Sequence, residues 1–321
     1  IMNDTIKERI QTLRAWMKQT GIEAFIIPST DPHLSEYVAP HWQSREWISG
    51  FTGSAGTVVV TENEAGLWTD SRYFLQAAQQ LEGTGIDLYK EMLPETPSIP
   101  AFLSEQLKKG QSVGIDGKVF ATDAARSLQK ELENNGITLK CTADPMEQIW
   151  DGRPEMPQAP AFIHDTKYAG RTCAEKLEAI RAEMKKAKAD SLLLSALDEI
   201  AWTLNLRGSD VHCNPVVVSY LLIGENEAHY FINSQKVTPE VAAHLHEAGV
   251  SLHTYQEIES YLAQLPAENL MLEPGKTNYA VRSAIPQQCR VIEAPSPVAL
   301  LKAVRNEQEI AGLRQAMQRD G

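Results

Sequence analysis

This sequence predicts an α/β protein of two tandem domains, each a mixed β-sheet flanked by helices, and three observations predict it. Apolar residues at helical spacing alternate along the chain with short β-branched and aromatic runs. Two pairs of those runs are joined by tight polar turns, which brings antiparallel pairing into sheets whose other strands are separated by helices. The landmarks of the first half return, in the same order, in the second.

The first half opens with Ile6, Ile10, Leu13 and Met17 on one helical face, stopped at Gly21. A strand follows at Ala24–Ile27, then a polar loop, and then a turn or two of helix at Arg45–Phe51. Thr57–Thr61 and Gly66–Thr69 read as a hairpin, and Arg72–Leu81 as a helix. Beyond it the pattern gives a helix near 98–109, a strand at Ser112–Ile115, a helix at 122–135 and a strand at Ile137–Leu139. Pro154, Pro157 and Pro160, with Pro145 just upstream, remove donors and fix φ, so the stretch from Asp151 to Pro160 reads as a linker.

The second half repeats the first. A helix from about Thr172 to Lys188 leads into the strand Ser191–Leu194, then Ile200–Leu204, then a hairpin of Val216–Ile223 with Ala228–Ile232. Trp47 precedes Gly53-Ser54 by the interval that separates Trp202 from Gly208-Ser209. Glu62-Asn63-Glu64-Ala65 fills the first hairpin turn and Glu225-Asn226-Glu227-Ala228 the second. A duplication is the reading, with extra residues around Asp210–Pro215 in the second copy. The domains run 1–155 and 156–301. Lys302 to Met317 reads as one charged amphipathic helix; because such a helix buries its apolar stripe, residues 302–321 are expected to open a further domain that continues past Gly321. Ile1, ahead of Met2, reads as a cloning residue.

Composition narrows the function. The chain has 321 residues, 43% hydrophobic and 22% charged, enough for two ordinary cores. A net charge of −12 argues against sequence-independent nucleic-acid binding, which needs clustered Lys and Arg. Cys141, Cys173, Cys213 and Cys289 are scattered without metal or redox spacing and fit a reducing compartment. No signal peptide is legible, and no run approaches the ~20 apolar residues that cross a bilayer. The expectation is a cytoplasmic protein with no membrane partner.

Several candidates for chemistry fall away on spacing. His33 and His41 flank Glu36, but three or four converging ligands are needed for a metal, and the spacing supplies no such set. His244 and His246, two apart on a helix, do not share a face. Gly50-Phe51-Thr52-Gly53-Ser54-Ala55-Gly56 lacks the Lys-Ser/Thr of a phosphate loop and runs into a strand, so a close-packed turn is the better account. Arg72 stands where a strand ends and a helix begins. Its fork suits a ligand carboxylate or an internal ion pair with Asp70, and spacing favours the ion pair.

Taken together, Ile26–Ser29, Ser35-Glu36-Tyr37, Ser49–Thr57 and Trp68-Thr69-Asp70-x-Arg72-Tyr73-Phe74 closely resemble the first domain of three-domain Xaa-Pro aminopeptidases. Ala196–Trp202, Asn205–Val211 and Asn214-Pro215-Val216 are similar to that family's second domain, and Lys302–Glu307 to the entry into its catalytic domain. The resemblance implies two creatinase-type amino-terminal domains ahead of a catalytic domain that binds two divalent ions, usually Mn²⁺, acting as Lewis acids and as the source of the nucleophile. It implies substrates with proline at the second position, a homodimer, and a substrate-contacting role for Arg72. No catalytic or metal-binding residue is expected within this chain. A free-standing binding module, or a prolidase- or creatinase-like hydrolase, is the alternative.

Overall fold

The computed structural model describes residues 2–321; Ile1 lies outside them. The chain divides into two compact units after Met156, within the proline-rich stretch.

In the first unit α1 (Met2–Thr20) precedes β1 (Ala24–Ile27), α2 (Ser44–Ser49), β2 (Thr57–Thr61), β3 (Ala65–Thr69), α3 (Phe74–Leu81) and β4 (Asp87–Lys90). Then come α4 (Ile99–Gln106), β5 (Ser112–Asp116), α5 (Thr122–Glu133), β6 (Thr138–Thr142) and α6 (Met146–Ile149). Ile6, Ile10, Leu13 and Met17 are all buried, so the 3.6-residue period carries α1 onto the core with Phe25, Ile27, Val58 and Leu67. Gly21 ends that helix at φ +68°, a conformation that costs a glycine little. The sheet order is β4-β3-β2-β1-β5-β6. Strand β1 pairs antiparallel with β2 and parallel with β5, β2 antiparallel with β3, while β3–β4 and β5–β6 are parallel.

The second unit opens with β7 (Phe162–Ile163), α7 (Thr166–Ala169), α8 (Cys173–Lys186), β8 (Ser191–Leu194), α9 (Leu197–Leu204) and β9 (Leu206–Arg207). It continues through β10 (Ser219–Gly224), β11 (Ala228–Ile232), α10 (Pro239–Glu247), β12 (Val250–His253), α11 (Ile258–Leu262), β13 (Asn269–Leu272), α12 (Tyr279–Ala284), β14 (Arg290–Glu293), α13 (Pro297–Ala303) and α14 (Glu307–Asp320). Its main sheet runs β12-β11-β10-β8-β13-β14, position for position the order and strand senses of the first. The two hairpins close alike: the Thr61 N–H donates to Glu64 O and the Gly224 N–H to Glu227 O, both at 2.8 Å. Trp47 and Trp202 both ride the helix between the first strand and the hairpin. The extra residues Asp210–Pro215 hold a buried ion pair, with Asp210 Oδ2 accepting from Lys236 Nζ and from the Val218 N–H (2.7 Å).

One element is corrected. Lys302–Met317 is not a single helix but the end of α13 and most of α14, separated by extended backbone at Val304. Asn306 restarts the helix through a capping box: its side chain accepts the Glu309 N–H at 2.9 Å, and Glu309 Oε2 accepts the Asn306 N–H at 3.0 Å. Four orphan donors at a new helix start favour this local closure over continuing the apolar period. The restarted helix lies on α7, with Asn306 Nδ2 donating to Ala169 O at 2.8 Å, while Leu313 and Met317 stay exposed.

Candidate functional site

Strand β3 ends at Thr69, and the chain makes one 3₁₀ turn, Ser71–Tyr73, before α3. Asp70 sets that turn, its Oδ1 accepting the Arg72 backbone N–H at 3.0 Å. The same carboxylate takes the guanidinium as a fork, Nε to Oδ1 at 2.9 Å and Nη2 to Oδ2 at 2.8 Å. This is the ion pair that spacing favoured. The Arg72 side chain is nevertheless 63% exposed, and a pair so open to water contributes little to stability. The fork holds the Asp70 carboxyl below its ordinary range and raises the guanidinium, to which the field of Glu36 adds. An exposed fork already shaped around one carboxylate can transfer to the carboxylate or carbonyl of a ligand.

A rigid platform backs Arg72. Its Cζ lies 5.2 Å from the Tyr73 ring centroid, Tyr73 Oη and Ser54 Oγ share a 2.6 Å hydrogen bond, and the Tyr73 ring meets Phe51 edge-on at 5.8 Å. Gly53 must be glycine here, because a Cβ would come within 2.2 Å of the Phe51 ring and 2.8 Å of Tyr73. Arg45, buried, ties the loop from within: Nε donates to Ser29 Oγ at 2.8 Å, Nη1 to Phe51 O and Nη2 to Gly53 O. Ser29 Oγ in turn donates to Gly56 O, and Thr69 Oγ1 to Ala55 O at 2.6 Å. Burial pulls the Arg45 guanidinium down to about 10. The glycine-rich segment is therefore a packed turn that runs into β2.

The histidines do not converge. His33 is buried, its backbone N–H donating to Asp31 Oδ1 at 2.9 Å; His41 Nδ1 is spent on Pro154 O at 2.7 Å; Glu36 is exposed. His244 Nε2 meets Leu204 O at 2.7 Å, which fastens α10 to the end of α9. Among the described residues no three His, Cys, Asp or Glu side chains are placed to hold a metal ion. Sequence reading missed two partly buried polar clusters. One gathers Asp116, Asp144 and Arg153 in the first unit, the other Glu199, Glu273, Lys276 and Ser296 in the second. The shared Pro after Asp144 and Ser296, each just past an edge strand, was the available signal.

Models of the creatinase/prolidase N-terminal domain match twice, over residues 9–149 and 152–309. The chain belongs to this family. Among curated relatives it is similar to aminopeptidase P2 of Arabidopsis thaliana, 36% identical over 98% of this chain and 49% of the relative. It is also similar to a probable Xaa-Pro aminopeptidase P of Neosartorya fischeri, 38% identical over 98% of this chain and 49% of the relative. Among solved structures it resembles X-prolyl aminopeptidase of Caenorhabditis elegans, a cytosolic enzyme with a di-nuclear active site, at 32% identity and a TM-score of 0.90, covering 97% of this chain and 53% of that one. The chain thus spans about half the length of the relatives it matches.

Proposed function

We propose that this chain is the amino-terminal, non-catalytic part of a metal-dependent Xaa-Pro aminopeptidase, which removes the residue preceding proline from peptide amino termini. One observation carries the reading: both creatinase-type domains are present and match relatives of that activity almost end to end, yet account for only half of each. In the whole protein the two divalent ions, Mn²⁺ in this proposal, would supply Lewis acidity and the nucleophile from the other half. This half contributes Arg72, an outward guanidinium on a rigid turn, as a contact for peptide carbonyl or carboxylate groups, together with surfaces for its own catalytic domain and for a homodimer. A cytoplasmic location belongs to the same proposal.

The test uses the purified chain and an Xaa-Pro-containing peptide at saturating Mn²⁺. No hydrolysis above the metal-free control is expected from the chain alone, and hydrolysis is expected once the downstream half is fused to Gly321. Turnover by the chain alone would overturn the reading. So would a peptide-binding chain whose natural coding sequence ends at Gly321, which would make it a free-standing module.

A further inference from the structure

The shared topology allows the two units to be compared residue by residue at the carboxyl ends of their central strands, where open α/β sheets form crevices. Ala24 faces Thr61 and Ser191 faces Gly224, and both partners directly precede Glu-Asn-Glu, so β1 and β8 correspond in register. Val113 faces Ala24 and Leu270 faces Ser191, which places Asp116 and Glu273 at one position. The edge-strand pairs Ser112–Thr138 and Asn269–Arg290 place Asp144 and Ser296 at another. Each of those two is followed by Pro and accepts the next N–H, from Met146 at 2.9 Å and from Val298 at 3.3 Å. Counting back from the paired tryptophans sets Ser44 against Glu199, and counting on from the paired carboxylates sets Val119 against Lys276.

All four positions line a crevice in both units, but their chemistry differs. In the second unit the crevice is filled by its own ammonium. Lys276 Nζ lies 2.7 Å from Glu199 Oε1 and 3.2 Å from Glu273 Oε2, while Ser296 donates from Oγ to Glu199 Oε2 (2.7 Å) and from its N–H to Glu273 Oε2 (2.8 Å). In the first unit the lysine is Val119. Arg153 pairs with Asp144 at 2.7 Å and is steadied by His41 O at 2.9 Å, so Asp144 has its cation. Asp116 is buried, takes the Lys118 N–H at 2.9 Å, and feels Lys118 and Arg153 through their fields. The crevice around it holds about 20 Å³, room for one water-sized group, and is lined by Trp42, Val119 and Met146.

We propose that this crevice binds a small primary ammonium compound, its head between Asp116 and Ser44 where the second unit holds Lys276, its short stem against Trp42, Val119 and Met146. An ammonium brings three donors and a cation to a buried carboxylate that otherwise takes one backbone N–H and the fields of Lys118 and Arg153. The site binds best when Asp116 is ionised. Burial first, and then Asp144, raise its carboxyl to about 6, against the lowering fields of Lys118 and Arg153, so binding weakens as pH falls through 6.

The experiment is a calorimetric titration of the 321-residue chain with n-butylammonium chloride at pH 7.5 and at pH 5, with tetramethylammonium and potassium chlorides at matched ionic strength. Saturable binding by n-butylammonium alone is expected, weaker at pH 5. Asp116→Asn, which keeps the side-chain shape, should weaken it at least tenfold. Val119→Lys places an ammonium in the crevice as Lys276 does, and should abolish binding while raising the melting temperature. Absence of saturable binding overturns the proposal, as does equal binding by tetramethylammonium or potassium, or binding undiminished in Val119→Lys. Should Asp116→Asn fail to fold, Val119→Lys alone decides.

Discussion

The turn that presents Arg72 exists twice. In the second unit β11 ends at Ile232, Asn233 accepts the Gln235 N–H at 3.1 Å, and a 3₁₀ turn spans Ser234–Lys236. Register sets this turn against Asp70, Ser71, Arg72 and Tyr73: Ala65 and Ala228 both open their strands after Glu-Asn-Glu, and both turns follow five residues later. The backbone is kept, cap included, and the charges are not. Asp70 has become Asn233, Arg72 has become Gln235, and Tyr73 has become Lys236, whose ammonium is turned inward onto Asp210. One copy spends its polar groups on an outward fork, and the other on an inward buried pair. The duplicated geometry is thus a frame, and the side chains hung on it decide whether it faces solvent or core.

Breaking the inward pair should have the largest effect. Removing one partner leaves a charge buried and unpaired, so Asp210→Ala should lower the stability of the second unit by about 3–5 kcal/mol, read from the urea midpoint by circular dichroism. A loss under ~1 kcal/mol, the range of exposed pairs, would erase the contrast.

A smaller effect tests the crevice of the first unit. The folded-state pKa of Asp116 is raised from 3.8 to about 6, so the folded protein binds the proton more tightly than the unfolded chain. Stability is therefore lost as pH climbs from about 4 to about 6, by at most about 3 kcal/mol at 1.36 kcal/mol per pKa unit. In Asp116→Asn that slope should flatten, and equal slopes in variant and parent would show the carboxyl to be unperturbed.

The outward fork is tested in the full-length aminopeptidase proposed above. Arg72→Ala should lower kcat/KM by about tenfold to a hundredfold, as expected when a charge-assisted hydrogen bond is lost, and Arg72→Lys should rescue poorly because the fork is lost. The melting temperature should barely move. A destabilised variant with full specific activity would assign Arg72 to structure alone. The smallest effect is expected from grafting. Asn233→Asp with Gln235→Arg should rebuild the fork on the second turn at a change within about 1 kcal/mol, measured by thermal denaturation, and without change in kcat/KM. Increased turnover would mean that the two turns are functionally interchangeable.

Much of this was legible in the sequence, for a physical reason. The α1 face, the hairpins and the repeat are written in apolar periodicity and turn chemistry, which act locally. Strands β4 and β14 were not legible: both lie at sheet edges, and neither Asp87–Lys90 nor Arg290–Glu293 has a buried residue. The break at Val304–Asn306 was masked by an apolar stripe that runs on through Ile310, Leu313 and Met317. Arg72 was legible as a member of an ion pair, whereas the platform behind it joins Ser29, Arg45, Ser54 and Tyr73 from separate segments. The crevices were still less so, since Ser44, Asp116, Val119 and Asp144 meet only through the sheet.

Arg45 makes the platform indifferent to acid. Its guanidinium is bonded to two carbonyls and a hydroxyl, none of which takes up a proton near neutrality, and it keeps its own charge up to pH about 10. The Asp70–Arg72 fork, by contrast, opens once the Asp70 carboxylate is protonated below its ordinary range. Acidification should then unlatch the guanidinium while its pedestal stays set, so the arm and its mount respond to different solvents: one to protons, the other only to alkali.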